Sequence, residues 1–392
     1  MPDQQPEKPE ATAPRSLVDD EPDMAAAPPP QRVRVAWIAG ENTMERLGRT
    51  LQPLAIGLLD ELVEIVLVCP QRSGVADLPI GPIELLRHGR LNRWGFKARS
   101  LEWLAKELAN RRVDAIHALD AEAAWMAPRL CERMDVNYLV SSYSRDDGRR
   151  LGTLDEHASA VLAASEPIRA GLLEHHVAAV DKIHLVPPGV YQVRHTTLFD
   201  NPQQSTAIVA CGDMDDFAAF DAVLRAFAEV AGRKYDCAFF LIGSGSREKA
   251  LRLQAHKLGL DESLTFVDWQ VPTQLAGILK AADIYISPLP LSGIDMQALL
   301  AMAAGDPVLA AAGGCSDFLI DGKTALLFRQ GDSAELTLKL MSLLDDHARA
   351  RSLAEDTLLY LHERHSPAIM VAAVANLYRQ AARRVSAPAG AV

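Results

Sequence analysis

Apolar and polar positions along this chain fall into two blocks with the same rhythm. In the first block, short apolar, β-branched runs at 33–39, 63–69, 114–118, 138–142, 160–164 and 183–186 predict strands. Stretches with apolar residues three and four apart at 44–61, 97–110 and 121–134 predict helices, and another helix is expected between the last two strands. Pro70 stops the second strand. Short strands without clean alternation, each followed by a helix, predict a parallel sheet covered on both faces.

Pro187-Pro188-Gly189 breaks the rhythm, and the polar stretch 192–204, with Asn201-Pro202, reads as a linker. The pattern then restarts. Strands are predicted at 206–211, 237–242, 264–267, 284–287 and 308–311, alternating with helices at 216–232, 247–258, 272–281 and 295–304. Helices at 333–345, 347–363 and 367–384 close the chain. The expected fold class is α/β: two tandem Rossmann-like, doubly wound domains with an interdomain cleft at the carboxyl ends of their strands.

Composition refines this picture. The 392 residues suit two domains, and 49% hydrophobic against 23% charged residues is an ordinary globular mixture. Residues 1–31 carry eight of the 23 prolines and a net charge of −5, so they read as a disordered acidic tail. The whole chain carries −11, which argues against general nucleic-acid binding. Five scattered cysteines (Cys69, Cys131, Cys211, Cys237 and Cys315) read as buried free thiols of a reducing compartment. The start has no basic stretch or apolar core of a secretory signal, and no run is long enough to span a bilayer. A cytoplasmic location is expected.

Residues 87–112 stand apart, with eight Lys and Arg against Glu102 and Glu107, a net +6, and Trp94, Phe96 and Trp103 interleaved. Two readings stay open. One is peripheral contact with an anionic inner membrane face or a lipid-linked acceptor. The other is a solvated helix face with core aromatics.

Several local strings are similar to one family. Leu241-Ile242-Gly243-Ser244-Gly245-Ser246 before a helix, Ala281-Ala282-Asp283-Ile284, and above all Ala301-Met302-Ala303-Ala304-Gly305-Asp306-Pro307-Val308 resemble the C-terminal half of family-4 (group 1) glycosyltransferases. Gly313-Gly314-Cys315-Ser316-Asp317 and Asp321-Gly322-Lys323-Thr324-Ala325 resemble its next loop and turn. In the first half, His117-Ala118-Leu119-Asp120, Ala164-Ser165-Glu166 and Pro187-Pro188-Gly189-Val190 sit where that family has similar strings. The likeness runs in order over about 33–382.

The resemblance implies a GT-B fold. Residues 32–195 would be the acceptor-side domain and 205–366 the nucleotide-sugar side. A last helix at 367–384 would cross back to the first domain, and 385–392 would be a flexible end. It also implies transfer of a sugar, with retention, from a nucleotide sugar to a glycan or glycoconjugate acceptor, with no cofactor and no metal. The alternative is a catalytically degenerate relative that binds a glycan, a nucleotide or a partner. An epimerase on the same fold would equally need cations for the diphosphate.

The departures matter most. The family's phosphate-facing arginine and lysine fall here on Asp213 and Ala218, and its two glutamates, with seven residues between them, fall on Ser292 and Leu300. Its histidine after the strand at 138–142 falls on Tyr143. A departing diphosphate needs fixed positive groups, so the transferase chemistry is in doubt. Donor-side candidates are Gly212, Gly243, Gly245, Trp269, Gln270, Ser292, Gly293, Ile294 and Asp295. Asp295 reads alternatively as a helix cap, as does the acidic turn of Asp213, Asp215 and Asp216. Acceptor-side candidates are Gly40, His117, Asp120, Tyr143 and Arg145, with His117 also readable as structural.

Overall fold

The structure is a computed structural model that describes residues 32–40, 43–71, 83–89, 97–200, 204–233, 235–268 and 277–383. The tail at 1–31, the end at 385–392, and the candidates Trp269 and Gln270 lie outside the described residues, as does most of the helix expected at 272–281, of which 277–280 are helical.

The first half is a seven-stranded parallel sheet in the order β3-β2-β1-β4-β5-β6-β7. Its strands are β1 (Val33–Ile38), β2 (Val63–Pro70), β3 (Glu84–His88), β4 (Ala115–Ala118), β5 (Asn137–Ser142), β6 (Ala158–Ala163) and β7 (Ile183–Leu185). Helices α1 (Thr43–Asp60), α2 (Lys97–Asn110), α3 (Ala127–Met134), α4 (Asp147–Leu151) and α5 (Glu166–Glu174) connect them. The second half is a six-stranded parallel sheet in the order β10-β9-β8-β11-β12-β13. It comprises β8 (Thr206–Cys211), β9 (Cys237–Ile242), β10 (Leu264–Val267), β11 (Ile284–Ser287), β12 (Val308–Ala311) and β13 (Leu326–Phe328). Its helices are α6 (Phe217–Gly232), α7 (Glu248–Lys257), α8 (Met296–Ala304), α9 (Ser333–Asp345) and α10 (His347–Arg364); α11 (Pro367–Arg383) is the last.

Two strands and two helices depart from the expectation, one helix being the short α4, which the sequence pattern did not predict. β3, Glu-Leu-Leu-Arg-His, is an edge strand whose charges break an apolar reading, and β13 is three residues long. The helix expected over 121–134 begins instead as a 3₁₀ turn at Ala124–Met126, because Asp120 accepts the Ala123 N–H at 2.8 Å and bends the chain there. All five cysteines are free, four buried and Cys237 half-buried.

Helix α11 buries Met370, Val371, Val374, Leu377 and Tyr378 in the core formed by α1, β1 and β2. Gly57 permits the close approach: an added Cβ would lie 2.5 Å from Val371 Cγ2. A second apolar core is continuous between the halves, joining Val161, Ile168 and Leu172 to Tyr285, Met296, Met302 and Phe318. No described helix is long and apolar enough to cross a membrane.

Candidate functional site

Strand order reverses between β1 and β4 in the first sheet and between β8 and β11 in the second. Such reversals open crevices at the carboxyl ends of the strands. At the first, Gly40 and Asp120 come together through Thr43, which the sequence reading did not single out. The Gly40 N–H donates to Thr43 Oγ1 at 2.6 Å, and the Thr43 hydroxyl donates to the buried Asp120 carboxylate. The signal for Thr43 was its type and place, a hydroxyl residue at a helix start. A Cβ at Gly40 would lie 2.9 Å from the Glu122 side chain and 3.1 Å from Thr43 Oγ1, so side chains of the first half already occupy that place.

His117 is fully enclosed. Its Nδ1 lies 2.6 Å from the Tyr378 hydroxyl and its Nε2 2.8 Å from Ser141 Oγ. Burial pushes its pKa down to about 3, so the ring is neutral at pH 7. The Tyr143 ring also turns inward. It packs against both apolar cores, its phenol bonds Ser141, and burial raises its pKa to about 12. Neither ring is a titrating group of the cleft at pH 7.

In the second half, the glycine turn is consumed by packing. A Cβ at Gly243 would lie 2.0 Å from the Gly212 carbonyl oxygen, and one at Gly245 would lie 2.4 Å from the Met214 backbone. Met214 N–H donates to Ser244 O at 2.9 Å, and Arg247 N–H to Met214 O at 3.0 Å. Asp213 and Ala218 are exposed. Asp215 accepts the Ser246 N–H at 2.6 Å; this bond, with Arg247 nearby, holds its carboxyl below the usual range. Asp216 caps α6 through the Ala219 N–H at 3.1 Å. Among the described residues, no group of three or more His, Cys, Asp and Glu could hold a metal ion.

Asp295 caps α8. Its carboxylate accepts the Ala298 N–H at 2.9 Å and the Ser287 hydroxyl, and its own N–H donates to Ser316 Oγ at 2.8 Å. Burial raises its pKa. Leu300 lines a cavity of about 290 Å³ between the halves, beside Gln52, Tyr191, Gln192, Leu279 and Lys280.

The remaining candidates meet in the seam between the halves. Ser144 and Gly293 form an isolated antiparallel bridge. Arg145 N–H donates to Ser292 O at 2.8 Å, Ile294 N–H to Tyr143 O at 2.9 Å, and the Ser144 hydroxyl to Ser292 O at 3.1 Å. A second stitch lies alongside: the Ser165 hydroxyl donates to Cys315 O at 2.7 Å, and the Glu166 N–H at the start of α5 donates to Asp317 at 2.8 Å. The Arg145 guanidinium pairs instead with Glu174 at 3.1 Å.

Known proteins match both halves. The family model described as Glycosyltransferase Family 4 matches residues 47–192, and that of Glycosyl transferases group 1 matches 205–346. The D-inositol 3-phosphate glycosyltransferase of Corynebacterium aurimucosum is 29% identical over 202 residues, 47% of this chain and 48% of that protein. Its counterpart from Nocardia farcinica is 29% identical over 267 residues, 64% of this chain and 57% of that protein. The chain thus spans about half the length of these curated relatives. Among solved structures, Anabaena Alr3699/HepE in complex with UDP-glucose superimposes with a TM-score of 0.73 at 15% identity, over 88% of this chain and 99% of that one. The chain belongs to the group 1, family 4 glycosyltransferases and has their GT-B fold of two Rossmann-like halves.

Proposed function

We propose that this chain takes a nucleotide sugar between its two sheets and passes the sugar, with retention, to a glycan or glycoconjugate acceptor. The observation that carries this reading is the pair of family matches, one on each half, on two parallel sheets that each reverse their strand order. In this reading 32–195 is the acceptor side, 205–366 the donor side, 192–204 the link, and 367–384 the return to the first half. A UDP-sugar is a reasonable first donor, because a protein of the same fold holds UDP-glucose. D-inositol 3-phosphate is a reasonable first acceptor, because relatives carry its name.

A second reading is favoured by charge. Asp213 and Ala218 put no cation at the diphosphate place, Asp295 is spent as a cap, and Leu300 offers no ribose acceptor. Removing one electrostatic donor from an active site slows chemistry roughly 10²–10³-fold. A binding protein without turnover follows from that arithmetic. Peripheral contact with an anionic membrane through 87–112 belongs to either reading.

Donor hydrolysis and transfer by the full chain decide between them, run with several nucleotide sugars beside the variant Asp213→Arg/Ala218→Lys/Ser292→Glu/Leu300→Glu. Slow turnover that the variant raises about tenfold or more supports the transferase reading. Binding without turnover in either protein supports the second. Absence of nucleotide-sugar binding in both overturns the donor reading.

A further inference from the structure

A cavity of about 430 Å³ lies at the amino ends of β8, β9 and β11, the end of the second sheet opposite the crevice at its strand reversal. Pockets that take small molecules commonly have this size. Its walls carry three carboxylates, Asp200, Asp236 and Asp283, and an apolar side made by Phe199, Leu344 and the ring of His347. Among the described residues, no Lys or Arg lines it. Arg351 stands beside it and is already engaged, its guanidinium donating to Leu198 O at 2.9 Å and to Phe199 O at 3.2 Å.

Those two bonds hold Phe199 at a φ of 58°, where bulky residues are rarely found. Its ring stacks on that of His347 with centroids 3.8 Å apart, so the aromatic wall is set by the protein itself. The acids are less well satisfied. One oxygen of Asp283 accepts the Ala207 N–H at 2.8 Å, and burial raises its carboxyl above the usual range. Tyr285 pairs with Val308, which sets Asp306 abreast of Asp283 at the foot of β11 and β12. Asp306 is 5% exposed, and one of its carboxylate oxygens has no hydrogen-bond partner. Neighbouring buried acids without a cation cost stability, and a positive group placed beside them removes that cost.

Among the described residues, no group of three or more His, Cys, Asp and Glu could hold a metal ion, so these carboxylates suit a cation that needs no ring of ligands around it. An alkylammonium is such a cation. Its N–H groups make charge-assisted bonds to carboxylates, and aromatic rings attract its charge. Three carboxylates in one cavity favour a ligand with more than one charge. We propose that the cavity binds a short alkyl polyamine, with its ammonium groups among Asp200, Asp236 and Asp283 and its carbon chain against Phe199 and Leu344. The site is independent of the donor reading, because it lies at the other end of the sheet.

The test uses the full chain and 1,4-diaminobutane. Titration calorimetry should show saturable binding that neither 1-butanol nor sodium chloride at matched ionic strength reproduces. Cys237 also lines the cavity and is half-buried where the other four cysteines are buried, so it reports occupancy. The diamine should slow its alkylation by N-ethylmaleimide about threefold or more. Asp283→Asn and Asp236→Asn should each weaken binding about tenfold or more. Asp236 is exposed, so its variant guards against a folding defect in the other. Absence of saturable binding to the unmodified protein overturns the proposal. So does binding that leaves Cys237 alkylation unchanged, or that both variants keep in full, since either result places the diamine elsewhere on an acidic surface.

Discussion

The indole N–H of Trp37 donates to the Tyr378 hydroxyl at 2.8 Å, joining the first strand to the last helix. An indole can only donate, so the Tyr378 proton goes to the other neighbour, His117 Nδ1. His117 therefore carries its proton on Nε2 and gives it to Ser141 Oγ, which bonds the Tyr143 phenol in turn. One donor-only group fixes the direction of a buried chain that ends at Tyr143, whose carbonyl accepts the Ile294 N–H in the seam. Tyr378→Phe keeps the ring and leaves Trp37 Nε1 and His117 Nδ1 without a partner. Stability in urea should fall by roughly 2–4 kcal/mol, about 1–3 for each orphaned group.

His117 also sets an acid limit. Its pKa is about 3 when folded against 6.5 for a free ring, so between those values the unfolded chain binds a proton that the folded one refuses. Stability should be complete above about pH 6.5 and fall as pH drops, with a slope approaching about 1.4 kcal/mol per unit from this group. The buried His365 shifts in the same direction. His117→Gln can accept from Tyr378 and donate to Ser141, and it should flatten the decline. Urea midpoints between pH 4 and 8 measure it.

Asp306 acts with the opposite sign. It is buried, one carboxylate oxygen has no hydrogen-bond partner, and burial with Asp283 nearby holds its pKa well above 3.8. The folded state keeps a proton that the unfolded state gives up, so this group lowers stability as pH rises above the ordinary carboxylate range. Asp306→Asn should add about 1–3 kcal/mol at pH 7, with the gain gone near pH 3.8. Thermal midpoints of both proteins at the two pH values are the check.

Gly243 separates packing from ligand binding. With φ at 148° and the Gly212 carbonyl 2.0 Å from any added Cβ, Gly243→Ala must push β8 and β9 apart. A loss of roughly 2–5 kcal/mol is expected with no ligand present. A phosphate-cradling role alone would leave the unliganded protein as stable as before.

Helix α2 gives the membrane proposal a narrower form. Arg99, Trp103 and Lys106 lie on one outward face, with Trp103 44% exposed, while Arg111 is already paired with Glu84 and Glu107. Sedimentation with anionic vesicles should be seen at low salt, weaken at physiological salt, and disappear in Arg99→Glu/Trp103→Ala/Lys106→Glu. Equal sedimentation of that variant would assign the contact elsewhere.

The parallel sheets were legible because each buried strand is an apolar run stopped by glycine, proline or a polar turn. β3 was not, since an edge strand bearing Glu84 and Arg87 has one side in water and no need of such a run. At the site, the caps Asp216 and Asp295 could be anticipated from residue type and position. The inward turn of Tyr143 could not, because it depends on Ser141 and on a helix more than 200 residues later. The pairing of Ser144 with Gly293 was equally hidden: nothing local marks a glycine whose neighbour belongs to the other half.

Because α11 completes the core formed by α1, β1 and β2, that core is finished by the segment translated after both sheets. On the ribosome, the first half would wait with an apolar strip open while the second is made. Stalled chains ending just before Pro367 should therefore engage chaperones through α1 and remain protease-sensitive there, and released full-length chains, which contain Met370, Val374 and Tyr378, should not.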